Sequence, residues 1–209
     1  MPYLRFVSLF FLLNSCAPAA YKQLQQTRGD VHCIDPFKPD IRRALYQTSV
    51  DVAGHHLSGL LLIKQMPDSA TRIVFTNEVG YTFFDFEFTK EGNFIVHSIL
   101  PKMDKEAVKK TLRKDFALVL MNQLNSGTAT IFKKNNETYY AFADGRDVFY
   151  YVTDEGCSRL IRMERGNTRK KVLEATRGDL KEGVPEFITI HHSNFNFTID
   201  LKKIDDHAE

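Results

Sequence analysis

Long apolar runs are missing from this 209-residue chain. The N-terminal one lies within "MPYLRFVSLFFLLNSC", where the eight residues 6–13 are apolar but for Ser8, against the roughly 20 a membrane-spanning helix needs. Behind the single basic residue Arg5, that length suits the core of a signal peptide and not an anchor helix. An excess of charge is missing too: 28 basic residues face 26 acidic ones, so nothing draws the chain strongly to nucleic acid. Catalytic signatures are also lacking, with no G-x-S-x-G, no P-loop and no dinucleotide fingerprint. Two histidine pairs occur, His55–His56 and His191–His192. Neighbours on a strand face opposite ways, so each pair offers one ligand, short of the three or four that zinc takes. They read as surface histidines beside turns. Asp205–Asp206 and the basic run Arg169–Lys171 read as solvated, and "EGCSRLI" places Cys157 at a strand start. The expectation is no enzyme, no metal and no cofactor.

Cysteine is scarce, at three residues. The first follows "LNS" directly behind the apolar core, the arrangement of a bacterial lipoprotein signal, in which cleavage leaves Cys16 at the new N-terminus to be acylated. Ordinary secretion with cleavage near Ala20 is the alternative. Ala17 stands where an aspartate would favour the inner membrane, so the expected place is the outer membrane, with the domain in the periplasm. Several acyl chains on Cys16 would anchor the protein stably, at about 0.8 kcal/mol per buried CH₂. Cys33 and Cys157 then sit in a compartment that permits disulfides, and sequence leaves open whether they pair or remain thiols. The organisation expected is a signal peptide over 1–15, a lipidated cysteine and tether over 16–40, one domain over 41–204 and a tail over 205–209.

From Leu45 the pattern is β. "ALYQTSVDV", "LSGLLLIKQM", "TRIVFTN", "YTFFDFEF" and "NFIVHSIL" alternate with short turns. One helix is predicted over Asp104–Leu124, capped by Asp104. Strands then return through "GTATIFKK", "ETYYAFAD", "DVFYYVTD", "CSRLIRME", "TRKKVLEAT", "EFITIHH" and "FNFTIDLKK". Eleven or twelve strands with hairpin turns point to an antiparallel sheet. Leu60–Ile63 and the Phe83–Phe88 run with Tyr81 are apolar on both faces, as in strands covered on both sides. A bent sheet plugged by the helix fits this, and so does a closed sandwich.

The turn "TNEVGY" carries an apolar residue, Val79, where turns normally carry polar ones. Scattered exposed apolar residues need no explanation, so an ordinary hairpin remains open. Behind a lipidation signal, however, "LSGLLLIKQMPDSATRIVFTNEVGYTFFDFEFTKEG" resembles the LolB family of outer-membrane lipoprotein receptors. The match rests on the strand Arg72–Thr76 and then Asn77, Val79, Gly80 and Thr82. It departs from the family at Glu78, where a proline is usual, at Val79, where a larger residue stands, and in having no tryptophan.

The resemblance implies a mainly β fold, an incomplete antiparallel β-barrel (half-barrel) with one long helix as plug. It implies that the hollow accepts acyl chains of lipoproteins handed over by a soluble periplasmic carrier of the LolA kind. Val79 would be the membrane or cargo-transfer tip, with Asn77 and Gly80 shaping its turn. Phe75, Tyr81, Phe84, Phe86 and Phe116 are the candidates for the hollow. A structural or accessory envelope lipoprotein of similar fold, binding another amphiphile or a partner protein, is the alternative.

Overall fold

The computed structural model describes residues 20–125, 128–167 and 170–204. The expected signal peptide, Cys16, Arg169, Asp205–Asp206 and the tail lie outside the described residues. In chain order the first strands are β1 (Gln25–Thr27), β2 (Arg43–Val52), β3 (His55–Gln65), β4 (Thr71–Thr76), β5 (Thr82–Phe88) and β6 (Phe94–Ile99). The helix α1 (Glu106–Val119) follows. Then come β7 (Thr130–Lys134), β8 (Glu137–Asp144), β9 (Asp147–Asp154), β10 (Leu160–Gly166) and β11 (Lys171–Arg177). A small hairpin, β12 (Leu180–Lys181) and β13 (Val184–Pro185), precedes β14 (Phe187–His192) and β15 (Phe197–Ile204).

Thirteen strands form one antiparallel sheet in the order β1-β7-β8-β9-β10-β11-β14-β15-β2-β3-β4-β5-β6, and its two ends are not paired to each other. The sheet is not flat. Adjacent residues of α1 reach both sides of it: the Phe116 ring lies 5.8 Å from that of Phe84 on β5, while Asp115 bonds to Arg165 on β10. Seven strand spacings separate β5 from β10, about 34 Å if laid flat. Only a sheet curled around the helix brings them together, so the chain forms one bent sheet and not a sandwich.

Alternation explains which side chains face the helix. Ala44, Tyr46 and Thr48 of β2, Leu61 and Ile63 of β3, and Ile73 and Phe75 of β4 are all buried on the inner face. β5 departs from strict alternation because the β4–β5 register slips between Phe75↔Phe84 and Thr76↔Thr82. The extra residue is Phe83, so two successive phenylalanines, Phe83 and Phe84, are buried. The two-sided apolar look of this strand is therefore a β-bulge. On β3, Leu60 and Leu62 do stand on the outer face, half-buried, with Leu62 between Leu45 and Val74. No second layer is needed to account for them.

Where β4 leaves the sheet, Gly59 is required. A Cβ there would lie 2.0 Å from the Thr76 carbonyl oxygen and 2.9 Å from the Asn77 Cα. Both are backbone atoms with no rotamer to yield. Gly59→Ala is expected to destabilise the protein by about 1–3 kcal/mol, read as a lowered urea midpoint; an unchanged midpoint would show that β4 can move aside at no cost.

Two expectations are corrected. The helix is short: it has 14 residues, about 21 Å, not the 21-residue span of Asp104–Leu124. Lys105 occupies the N-cap without a side-chain bond, and Asp104 pairs instead with Lys109 at 2.9 Å. The helix stops because Met121 has a φ of +53°. Leu120 and Met121 are nevertheless buried, so the apolar period runs on after the helix has ended, into a 3-10 turn at Asn122–Asn125.

The tether expected over 16–40 is mostly part of the domain. The Tyr21 ring stacks on Tyr150 at 4.3 Å, β1 pairs with β7, and the Asp30 carboxylate accepts the His32 N–H at 2.9 Å. That bond opens a 3-10 turn over Val31–Phe37 in which Ile34 is fully buried. The segment shows no repeating pattern because it holds only the three-residue β1 and a 3-10 turn, and docking needs only a few well-placed apolar anchors.

Candidate functional site

The Val79 tip is a braced projection. The Asn77 Oδ1 accepts the Val79 N–H at 3.1 Å and the Tyr81 N–H at 2.7 Å. The Gly80 N–H donates to the Asn77 carbonyl at 3.0 Å, and the Asn77 N–H to the Tyr81 carbonyl at 2.9 Å. Gly80 has a φ of +84°, a conformation that glycine adopts without penalty. These bonds fix the turn through Asn77 and leave Val79 in solvent at 88% exposure. An Asx turn of this kind supplies locally the bonds that a ladder would otherwise give.

Tyr81 does not join the interior. It is 53% exposed and meets Phe83 edge-on at 6.4 Å. It precedes the first paired residue of β5, so strand alternation does not reach it, and it belongs with Val79 outside. Phe75, Phe84, Phe86 and Phe116 are brought together, at 0–3% exposure. Phe84 stacks on Phe86 at 4.4 Å and lies 5.6 Å from Phe75. These rings pack on one another beneath α1. The expected lining of a hollow is here a filled core.

A charged cluster fastens the helix to that core. Asp115, fully buried on α1, accepts from Arg165 Nη2 at 2.8 Å and from His192 Nε2 at 2.8 Å. Arg165 Nη1 lies 3.8 Å from Asp147, which also pairs with Lys114. His192 stacks on Phe197 at 4.7 Å and is 2% exposed. Its Nδ1 and the Arg165 Nε are buried without a hydrogen-bond partner among the described residues. The reading of His191–His192 as surface histidines is thus half right: His191 is exposed and His192 is inside. The signal was present, since Ile188, Ile190 and His192 share one face of β14 by simple alternation.

Cys33 and Cys157 form a disulfide with Cα atoms 6.2 Å apart. Cys157 is in the β9–β10 turn with a φ of +54°, not at the start of the strand. On the outer face Tyr21 is held by a second network. Its hydroxyl donates to Glu164 at 2.9 Å, and burial with the Glu164 charge holds it protonated far above the ordinary range. Arg162 bonds Glu164 at 2.6 Å and Glu137 at 2.5 and 2.7 Å, which lowers the Glu137 carboxyl from its usual value.

A wide groove of about 960 Å³ lies on the outer face, lined by Gln47, Ser49, Ser58, Glu78, Asp200 and Lys202 among others. Phe187 and Leu201 also line it, so its wall mixes polar and apolar side chains.

No known family profile matches the chain, and no curated protein matches it. Among solved structures it is similar to a DUF1329 family protein from Desulfovibrio piger, at 8% identity over 85% of this chain and 91% of that one, with a TM-score of 0.45. It is also similar to a candidate outer membrane lipoprotein-sorting protein domain from Vibrio parahaemolyticus, at 10% identity over 78% and 83% of the two chains, with a TM-score of 0.41. At these values neither likeness says what this chain does.

Proposed function

We propose that the protein is an outer-membrane lipoprotein, anchored through Cys16, that binds the acyl chains of other lipoproteins and helps their insertion. The observation that carries this reading is Val79, at 88% exposure on a turn fixed by four hydrogen bonds. A valine side chain entering lipid gains about 1.5–3 kcal/mol at most. That is enough to bias an encounter with a bilayer and too little to hold the protein there. In this reading cargo reaches the aromatic core beneath α1, which requires the helix to shift and the Asp115 cluster to open. Cargo would come from a LolA-like soluble carrier.

Val79→Glu is expected to leave the urea midpoint unchanged, because the residue touches little, and to abolish transfer of an acylated cargo from carrier to membrane vesicles. Full transfer by this variant would remove the role given to the tip.

The filled core favours a second reading: an accessory envelope lipoprotein that binds a partner protein and carries no acyl chain. Native mass spectrometry separates the two. Co-purifying acylated peptide supports the first, and a stoichiometric protein partner supports the second.

A further inference from the structure

The sheet register places five turns on one rim: β2–β3, β4–β5, β8–β9, β10–β11 and β14–β15. Val79 and Tyr81 belong to the second of these. The β14–β15 turn carries a further exposed aromatic residue, Phe195, at 48% exposure. It is braced and not loose, since its ring stacks on Phe197 at 5.6 Å and lies 5.0 Å from the buried His192. Three of the five large exposed apolar residues of the described chain are therefore on this rim.

The chain enters the domain across the outer face of the sheet, where Ala20 and Tyr21 share a groove with Lys134, Tyr139 and Arg162, and the far end of the Tyr21 side chain points toward this rim. The Tyr21 ring lies where a Cβ on Gly166 would come within 2.8 Å of it, and Gly166 is the last residue of β10, next to the β10–β11 turn. Only four residues separate Tyr21 from Cys16, and the five Cα steps reach about 17 Å when fully extended. Phe195 sits in the turn between β14 and β15; β14 is two strand spacings, about 10 Å, from β10, and β15 is three, about 14 Å, from β4. The end of β10, Phe195 and Val79 thus follow one another along this rim.

We propose that this rim is a membrane-contact edge, with Phe195 as a second apolar contact beside the Val79 tip and Cys16 as the anchor within reach of it. The occupant is a lipid bilayer surface. The rim's charges oppose one another, with Arg146 and Lys170 against Asp144 and Glu78, so the contact depends on apolar burial and not on anionic lipid. The inference rests on the reading above only in taking Cys16 as the natural anchor.

The test exploits the absence of tryptophan. In the chain beginning at Cys16, that cysteine is the one free thiol, because Cys33 and Cys157 are joined. It can be coupled to maleimide-headgroup phospholipid in vesicles of phosphatidylethanolamine and phosphatidylglycerol with brominated acyl chains. Phe195→Trp, Val79→Trp and Lys90→Trp each provide a single reporter, Lys90 being in the β5–β6 turn on the opposite rim.

Emission from Phe195→Trp is expected to fall to about half relative to unbrominated vesicles, the depth of an interfacial contact, while Lys90→Trp is unchanged. An unquenched Phe195→Trp, or equal quenching at both rims, overturns the edge. Quenching at Val79→Trp alone also overturns it while leaving the tip its role. Exchanging phosphatidylglycerol for phosphatidylcholine should change nothing; loss of quenching overturns an apolar contact. Chemical coupling keeps this result separate from natural acylation, which the mass of Cys16 in protein taken from cells decides.

Discussion

Replacing Cys33 and Cys157 together by serine is expected to lower the free energy of unfolding by about 2–5 kcal/mol. The bond closes a loop of 124 residues, for which chain entropy alone gives about 5 kcal/mol. The local consequence matters as well. Cys33 lies in the 3-10 turn that seats Ile34, and the N-terminal segment has few other anchors: three ladder pairs to β7 and the Tyr21 cluster. Without the bond this segment should open before the sheet does. Thermal unfolding with and without reductant checks the total, expected as a fall in Tm of about 10 °C. Hydrogen exchange checks the order, with residues 25–37 losing protection first. An unchanged midpoint would mean that the segment is held fully by its non-covalent contacts.

Asp115→Leu is expected to cost about 3–5 kcal/mol, because it takes from the buried Arg165 guanidinium its hydrogen-bonded carboxylate and leaves it only Asp147, at 3.8 Å. Arg165 is 6% exposed and cannot turn outward while β10 keeps its pairing on both sides. The same change removes the one bond of the buried His192 ring. Combining Asp115→Leu with Arg165→Met should restore much of the loss, since a buried pair replaced by well-packed apolar side chains is often neutral or stabilising. Guanidinium or thermal unfolding of the two single variants and the double variant measures the coupling. Simple additivity would show that Asp115 and Arg165 act independently and that the cluster does not fasten the helix.

Much of the sheet was legible because its strands follow period-two alternation between turns rich in Gly, Asn and Asp. What escaped did so for identifiable reasons. Apolar periodicity reports burial and not backbone geometry, so Leu120 and Met121 extended the predicted helix although Met121 is left-handed. Residues 20–40 have no period because they dock through isolated side chains such as Tyr21 and Ile34. The pairing of Cys33 with Cys157 depends on a distance that no spacing reveals. Of the site, the Asn77–Gly80 turn was readable because an Asx turn is local. Tyr81 was misplaced by applying alternation one residue beyond the strand. Asp115 and Arg165 were missed because charged residues are ordinarily assigned to the surface, although Arg165 shares the inward parity of Met163.

The position of β15 bears on how the chain is assembled. It pairs over eight residues with β2 and over five with β14, so the last strand of the described residues lies between the early strands and the late ones. Neither half can complete its sheet until Phe197–Ile204 arrives, and the nascent chain carries two open strand edges until then. Such non-local closure slows folding and lengthens the interval in which an incomplete sheet can pair wrongly. A chain stopped before Phe197 would lose the join between its two halves, and with it the curvature that holds the helix.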